Sequence, residues 1–298
     1  LEAEQFVIFP GASAALYAVF CSVLDPGDEV IVPEPMYAAY TAMFAAIGAT
    51  IVPVALKPPA FELKAAEVFA AVTDRTRAVL VNTPGNPCGN LIEEATLRAL
   101  AEGCRERDLW LVSDEVYSLI TFDAPHWSLL RYDGDQSNLV VIDSLSKSHA
   151  MSGWRVGWAA GPPDLVAQLI RFSSAALFGV CQFVQDGAAF ALANDTEDVE
   201  AMRKEYQRRR DYAAERLDGI ANLGYYRPRG GMFVMVDAGK LCNEGEVFAR
   251  RLLDEAGLST IPGRGFGPSA ATYVRVSLTH PIEVLEEVFD RMAEIADG

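Results

Sequence analysis

Short, unbroken runs of β-branched and other apolar residues recur along the first two thirds of the chain, each followed by a stretch with helical spacing. The runs are Val7-Ile8-Phe9, Glu29-Val30-Ile31-Val32, residues 50–56, Ala78-Val79-Leu80-Val81, residues 110–113, Leu139-Val140-Val141-Ile142 and residues 156–160. Runs of this kind suit strands buried on both faces, as in a parallel sheet covered by helices. The helical stretches, from about Ala12 and over 37–47, 63–72 and 93–107, supply the cover. The alternation predicts an α/β fold with a mostly parallel sheet sandwiched by helices. After about Asp195 the order changes to a long charged helix over 199–217, a strand over 230–236, a helix over 246–256, a strand over 273–278 and a closing helix over 282–296. That is α+β order and predicts a smaller C-terminal domain. The expected division is 1–195 for a large ligand-binding domain and 196–298 for the small one.

Composition narrows the function. A formal net charge of −16 makes an acidic surface that repels phosphate backbones, so nucleic acid is not an expected partner. The five cysteines, Cys21, Cys88, Cys104, Cys181 and Cys242, are scattered without a CxxC pair, and only His126, His149 and His280 are available as imidazoles. Neither a disulfide framework nor a metal site is expected, and the reduced cytoplasm is the natural compartment. No stretch has the length and apolarity to span a bilayer, and Leu1-Glu2-Ala3-Glu4 carries no signal-peptide pattern, so no membrane association is expected.

In open α/β sheets, ligands bind at the carboxyl ends of the strands, and several segments there carry reactive groups. After a strand ending near Asp143, Ser144-Leu145-Ser146-Lys147 presents a lysine among hydroxyls, and Gly153-Trp154-Arg155-Val156-Gly157 adds an arginine. Hydroxyls and a guanidinium suit a phosphate dianion, and an amine suits an imine with an aldehyde. An isolated SxSK would read as a solvated loop lysine; the following Gly-x-Arg-x-Gly favours the site. Asp114-Glu115-Val116-Tyr117 stands where a strand runs out. Asp114 there either pairs with a pyridinium nitrogen or caps the strand end, and Tyr117 is within reach of a ring hydroxyl.

Four further segments carry weaker signals. The turn Asn82-Thr83-Pro84-Gly85-Asn86-Pro87-Cys88-Gly89 offers Asn86 as a donor, though a plain loop explains its prolines and glycines equally well. Gly11-Ala12-Ser13 opens a helix after a strand, which suits either an anion or an ordinary cap. Tyr37 is either a ring-stacking residue or a core aromatic. Arg275, alone in the β-branched strand Tyr273-Val274-Arg275-Val276-Ser277, is either a bidentate clamp for a carboxylate or an outward-facing edge residue.

Taken in this order, the segments resemble class I/II aminotransferases of the pyridoxal-phosphate fold type I, over essentially the whole chain. Residues 144–157 match the family's lysine signature, preceded in order by the Asn-Pro-x-Gly loop and the Asp-x-x-Tyr motif. The resemblance implies pyridoxal 5'-phosphate as cofactor, with Lys147 bonded to it. Asp114 would pair with the pyridine nitrogen, Asn86 and Tyr117 with the ring hydroxyl, and Tyr37 would stack on the ring. Ala12, Ser13, Ser144 and Arg155 would hold the phosphate, Ser146 would also contact the cofactor, and Arg275, together with Asn86, would bind the substrate α-carboxylate. Lys147, Asp114 and Tyr117 would form the catalytic group. The implied substrates are an amino acid and a 2-oxo acid, and the implied assembly is a homodimer.

A narrower likeness, to bacterial members that pass the amino group of arginine to pyruvate, runs through residues 32–37, 144–158, 182–186, 230–237 and 266–270. Members of the family carry several dozen further residues before the position of Leu1, so the family's N-terminal segment is expected to be absent here. Two other readings use the same scaffold: a pyridoxal-phosphate lyase, and a non-catalytic sensor domain that binds the cofactor without turnover. A dinucleotide dehydrogenase does not fit, because Gly263-Arg264-Gly265-Phe266-Gly267 lies late in the chain and lacks the fingerprint spacing.

Overall fold

The structure, a computed structural model, describes residues 2–194 and 196–298. A seven-stranded sheet dominates it: β1 (Phe6–Phe9), β2 (Glu29–Glu34), β3 (Thr50–Ala55), β4 (Thr76–Asn82), β5 (Trp110–Asp114), β6 (Leu139–Ser144) and β7 (Gly157–Ala160), in the order β1-β7-β6-β5-β4-β2-β3. The pairs from β3 through β6 are parallel, while β7 runs antiparallel to both of its neighbours. The expected mostly parallel sheet is therefore present.

Side-chain alternation splits the strands between two cores. Ile31, Val79, Val81, Leu111 and Val141 face one way, toward α3 (Ala65–Ala70) and α4 (Glu94–Glu106). Val30, Val32, Leu80, Val112, Val140 and Ile142 face the other way, toward α1 (Ala12–Val23), α2 (Ala39–Ile47) and α6 (Pro163–Ala176). Both faces are covered, which is why the runs read as continuously apolar. Leu80 and Leu111 are fully buried, and truncating either to alanine would cost about 2–5 kcal/mol.

A four-stranded antiparallel sheet follows, in the order β10-β11-β9-β8, from β8 (Gly224–Tyr226), β9 (Phe233–Asp237), β10 (Ile261–Pro262) and β11 (Tyr273–Ser277). Val234, Val236, Val274 and Val276 pack onto α8 (Thr196–Asp218), α9 (Gly245–Ala256) and α10 (Ile282–Asp297). On the opposite face, Met235 and Tyr273 join the core of the large sheet. The change to α+β order near residue 195 is observed, although Asp195 itself lies outside the described residues.

Among the elements without a counterpart in the sequence reading are α6, α7 (Gln182–Asn194), β8 and β10. Helix α7 exposes Phe183 and Phe190 while burying Val184 and Ala188, so its apolar residues mark no single face. Strands β8 and β10 span three and two residues, too few for a period to show. Among the described residues, no helix is long and apolar enough to cross a membrane.

Candidate active site

Strand register brings the chemistry to one edge. Asn82, the last residue of β4, pairs with Asp114, the last of β5. Ser144, the last of β6, pairs with Gly157, which also pairs with Phe9 at the end of β1. Because β7 runs backwards, its first residue lies where its neighbours end. A cavity of about 360 Å³ opens over this edge, and all eleven residues singled out from the sequence line it: Ala12, Ser13, Tyr37, Asn86, Asp114, Tyr117, Ser144, Ser146, Lys147, Arg155 and Arg275.

At one end of the cavity stand small residues and phosphate-compatible donors. Gly11 caps α1 with φ +92°, and a Cβ there would lie 2.4 Å from Arg155 Nη2. Gly157 is as tightly placed: a Cβ at that position would come within 2.7 Å of the Ala12 nitrogen. The exposed Arg155 guanidinium is steadied by donating to the carbonyls of Ser152 (2.9 Å) and Pro10 (3.3 Å). Ser144 caps the short helix α5 (Leu145–Ser148) by accepting the Ser146 amide hydrogen, which aims that turn and its lysine along the edge. A helix N-terminus, two serine hydroxyls and a guanidinium form a donor set suited to a phosphate dianion.

Lys147 is half-buried, and burial, then the charges of Arg155 and Arg275, lower its pKa from the usual lysine range. Asp114 is buried beneath the cavity. Tyr40 donates a 2.5 Å hydrogen bond to its Oδ2, and the Val116 amide approaches Oδ1 at 3.4 Å. Burial raises its pKa to about 6 against the opposing pull of the Tyr40 hydrogen bond. A carboxylate buried in this way favours a cationic partner such as a protonated ring nitrogen. Burial and the Asp114 charge push the Tyr117 hydroxyl up, which keeps it a neutral donor. Glu115 does not line the cavity; it accepts from Ser113 Oγ (2.9 Å) and the Leu129 amide (3.0 Å) and ties down the following loop.

The far wall comes from the four-stranded sheet. Arg275 lies on the face of β11 opposite Val274 and Val276, and that face meets the large sheet rather than solvent. Its Nη1 donates to Asn86 Oδ1 at 2.8 Å, and its Cζ is 3.9 Å from the ring centroid of Phe233 and 4.8 Å from that of Phe266. Asn86 is positioned in turn by Asn82, whose Oδ1 accepts the Asn86 amide hydrogen at 2.7 Å and whose Nδ2 donates to the Asp114 carbonyl at 2.9 Å.

Sequence reasoning did not find Tyr40, Asn82, Phe233 or Phe266. Two signals were available: Tyr40 stands one helical turn after Tyr37, and Asn82 four residues before Asn86 in a turn that side-chain amides organise. The two phenylalanines are recognisable only once β11 is placed. Amine, buried carboxylate, anion cradle and arginine together fit a phosphorylated pyridine aldehyde and an amino acid carboxylate.

The aminotransferase class I and II family profile matches residues 1–292. The chain is 47% identical over 294 residues to the arginine–pyruvate transaminase AruH of Pseudomonas aeruginosa, spanning 98% of this chain and 75% of that protein. It is 32% identical to the aspartate aminotransferase of Geobacillus stearothermophilus, over 98% of this chain and 76% of the relative. Among solved structures, the aspartate aminotransferase from Thermus thermophilus with maleate superposes with a TM-score of 0.94 at 33% identity, over 99% of this chain and 77% of that one. The aromatic aminotransferase from Pyrococcus horikoshii superposes equally well, at 0.94 and 31% identity, over 98% of this chain and 79% of that one. The chain belongs to the class I and II aminotransferases, pyridoxal-phosphate enzymes of fold type I.

Proposed function

We propose that this aminotransferase takes its amino group from an L-amino acid, arginine foremost, and passes it to a 2-oxo acid, pyruvate foremost. The observation that carries the substrate pair is the 47% identity to AruH over 98% of the chain. Convergence of the eleven sequence-selected residues on one cavity supports that cavity as the reaction site. The reading takes 1–195 as the cofactor-binding domain and 196–298 as the smaller domain that brings in Arg275.

Bound pyridoxal phosphate supplies an aldehyde for amine exchange and a ring that accepts electrons. The chain's residues do the rest. Arg275 holds the substrate carboxylate through two parallel charge-assisted hydrogen bonds and so fixes where the α-carbon sits. Lys147, its pKa lowered by burial, has a larger neutral fraction at neutral pH than a surface lysine, and its Nζ takes the proton from that α-carbon. Asp114 keeps a proton on the ring nitrogen by ion pairing in a buried setting, while Tyr40 holds Oδ2 in place. Asn86 and Tyr117 donate to the ring oxygen. Ala12, Ser13, Ser144, Ser146 and Arg155 anchor the phosphate and keep the ring from sliding.

The same reading includes a homodimer, supported by the apolar surface of Phe178, Phe183 and Phe190, which are 92%, 71% and 70% exposed. Sedimentation that gives only monomer would remove the dimer without touching the chemistry. For the substrates, the test is the absorbance spectrum of the cofactor-loaded protein after arginine and then pyruvate, against a panel of donors. Arginine should bleach the visible band and pyruvate should restore it. No preference for arginine over alanine or aspartate would discard the substrate pair.

A further inference from the structure

Two segments that the sequence singled out, residues 32–37 and 266–270, meet each other, and of their residues only Tyr37 lines the cavity. Glu34 ends β2 and is only 5% exposed. Its Oε1 accepts the Ser269 amide hydrogen at 2.9 Å, 235 residues away in sequence. Beside it the Met36 amide donates to the Phe266 carbonyl at 2.8 Å. Gly267 has φ +124°, and a Cβ there would lie 2.2–2.4 Å from the Glu34 side chain. The turn is therefore folded around a buried carboxylate, and only glycine leaves it room. Phe266 at the start of that turn is 2% exposed, packs in the core of the large sheet and lies 4.8 Å from Arg275 Cζ.

We infer that Glu34 is a positioning residue for substrate carboxylate recognition. By gripping the 266–269 turn it fixes Phe266 against the guanidinium of Arg275, and so sets the direction in which the remaining donors of Arg275 point. Without the grip, Arg275 keeps its Asn86 contact but loses one of the two rings that hold its plane. Carboxylate binding needs both forks of the guanidinium in register, so the loss falls on binding more than on proton transfer. The inference rests on the reading of Arg275 as the carboxylate site.

Glu34→Ala should raise the KM of amino donor and 2-oxo acceptor about tenfold while kcat stays within about twofold, the size of one lost charge-assisted hydrogen bond. Glu34→Gln, which retains an oxygen to accept the Ser269 hydrogen, should recover most of the loss. Amide exchange over residues 266–270 should quicken in Glu34→Ala and remain slow in Glu34→Gln. In an Arg275→Ala background, Glu34→Ala should add nothing further to KM. If Arg275→Ala itself leaves KM unchanged, the Arg275 reading fails and takes this inference with it. If Arg275→Ala is severe but Glu34→Ala shifts neither KM nor exchange, or shifts KM equally with and without Arg275, only the inference is overturned. Should Glu34→Ala fold poorly, Gly267→Ala tests the same grip from the other side, with the same KM rise expected and an unchanged KM against it.

Discussion

The carboxyl edge of the seven-stranded sheet and the seam where the four-stranded sheet meets it solve different problems. At the edge, much of the hold is local: Ser144 caps its own turn and Asn82 orients Asn86, while Asp114, at the last position of its strand, also takes a hydrogen bond from Tyr40, 74 residues away. At the seam, the hold is tertiary. Arg275 reaches Asn86 across 189 residues, and Glu34 reaches Ser269 across 235. On the proposed reading, the edge is the cofactor's cradle and the seam is the wall that meets the substrate carboxylate.

The largest effect should come from the edge. Lys147→Ala should cut transamination by about 10⁴-fold or more and remove the visible absorbance band of the loaded protein; a mutant that keeps both would end the assignment of the edge. Next comes the seam. Arg275→Ala should lower kcat/KM for carboxylate substrates about 100-fold, mostly through KM, and initial-rate kinetics on donor and acceptor would show it. An effect confined to kcat would put Arg275 among the edge groups and erase the contrast.

Burial at the edge should also make stability depend on pH. Asp114 has a folded pKa of about 6 in the cofactor-free chain, raised by burial above its ordinary value. A raised carboxyl stabilises the fold fully below its unfolded pKa and loses that contribution as pH rises through the folded one. Urea unfolding of the cofactor-free protein should therefore show stability falling between about pH 4 and pH 6, by about 3 kcal/mol from this group. Partly buried Asp143, also raised well above its usual range by desolvation, adds a slope of the same sign. Asp114→Asn should flatten the curve in part, and an unchanged slope would show that the Asp114 carboxyl is not the strained one.

Tyr40→Phe should then lower kcat about tenfold, because Asp114 loses the short hydrogen bond from the Tyr40 hydroxyl and holds the ring proton less firmly. Smallest of all should be Glu93→Gln. Its 2.5 Å pair with Arg229 bridges the seam, yet Glu93 is largely exposed, so less than about 1 kcal/mol should be lost in thermal unfolding. A larger loss would mean that surface pairs carry the seam rather than its buried contacts.

The same contrast explains what could be read from the sequence. Edge residues come as contiguous motifs, so Lys147 and Arg155 stood out by their spacing, whereas Asp114 and Asn86 had equally good structural readings until the ordered segments were seen to resemble a known family. The two-sided burial of the sheet was visible as unbroken apolar runs. Arg275 was visible only as an oddity in a β-branched strand. Whether it faced solvent depended on a second sheet packing against its face, which no local pattern records. Phe266 and Glu34 were invisible as partners because their meeting is set by the arrangement of the two sheets. Helix α7 was missed because its phenylalanines face outward.

The reversed strand β7 has a consequence for how the enzyme is made. The Asn82–Asp114 floor is complete once β6 has been added, but Arg155 and Gly157 arrive at the rim only when β7 slots between β6 and β1, a strand synthesised well before either. On the reading that this rim holds the phosphate, residues 157–160 must be made before the cradle is complete. Arrested chains that stop short of Gly157 should hold pyridoxal phosphate more weakly than chains that extend past Ala160, because the rim is still open.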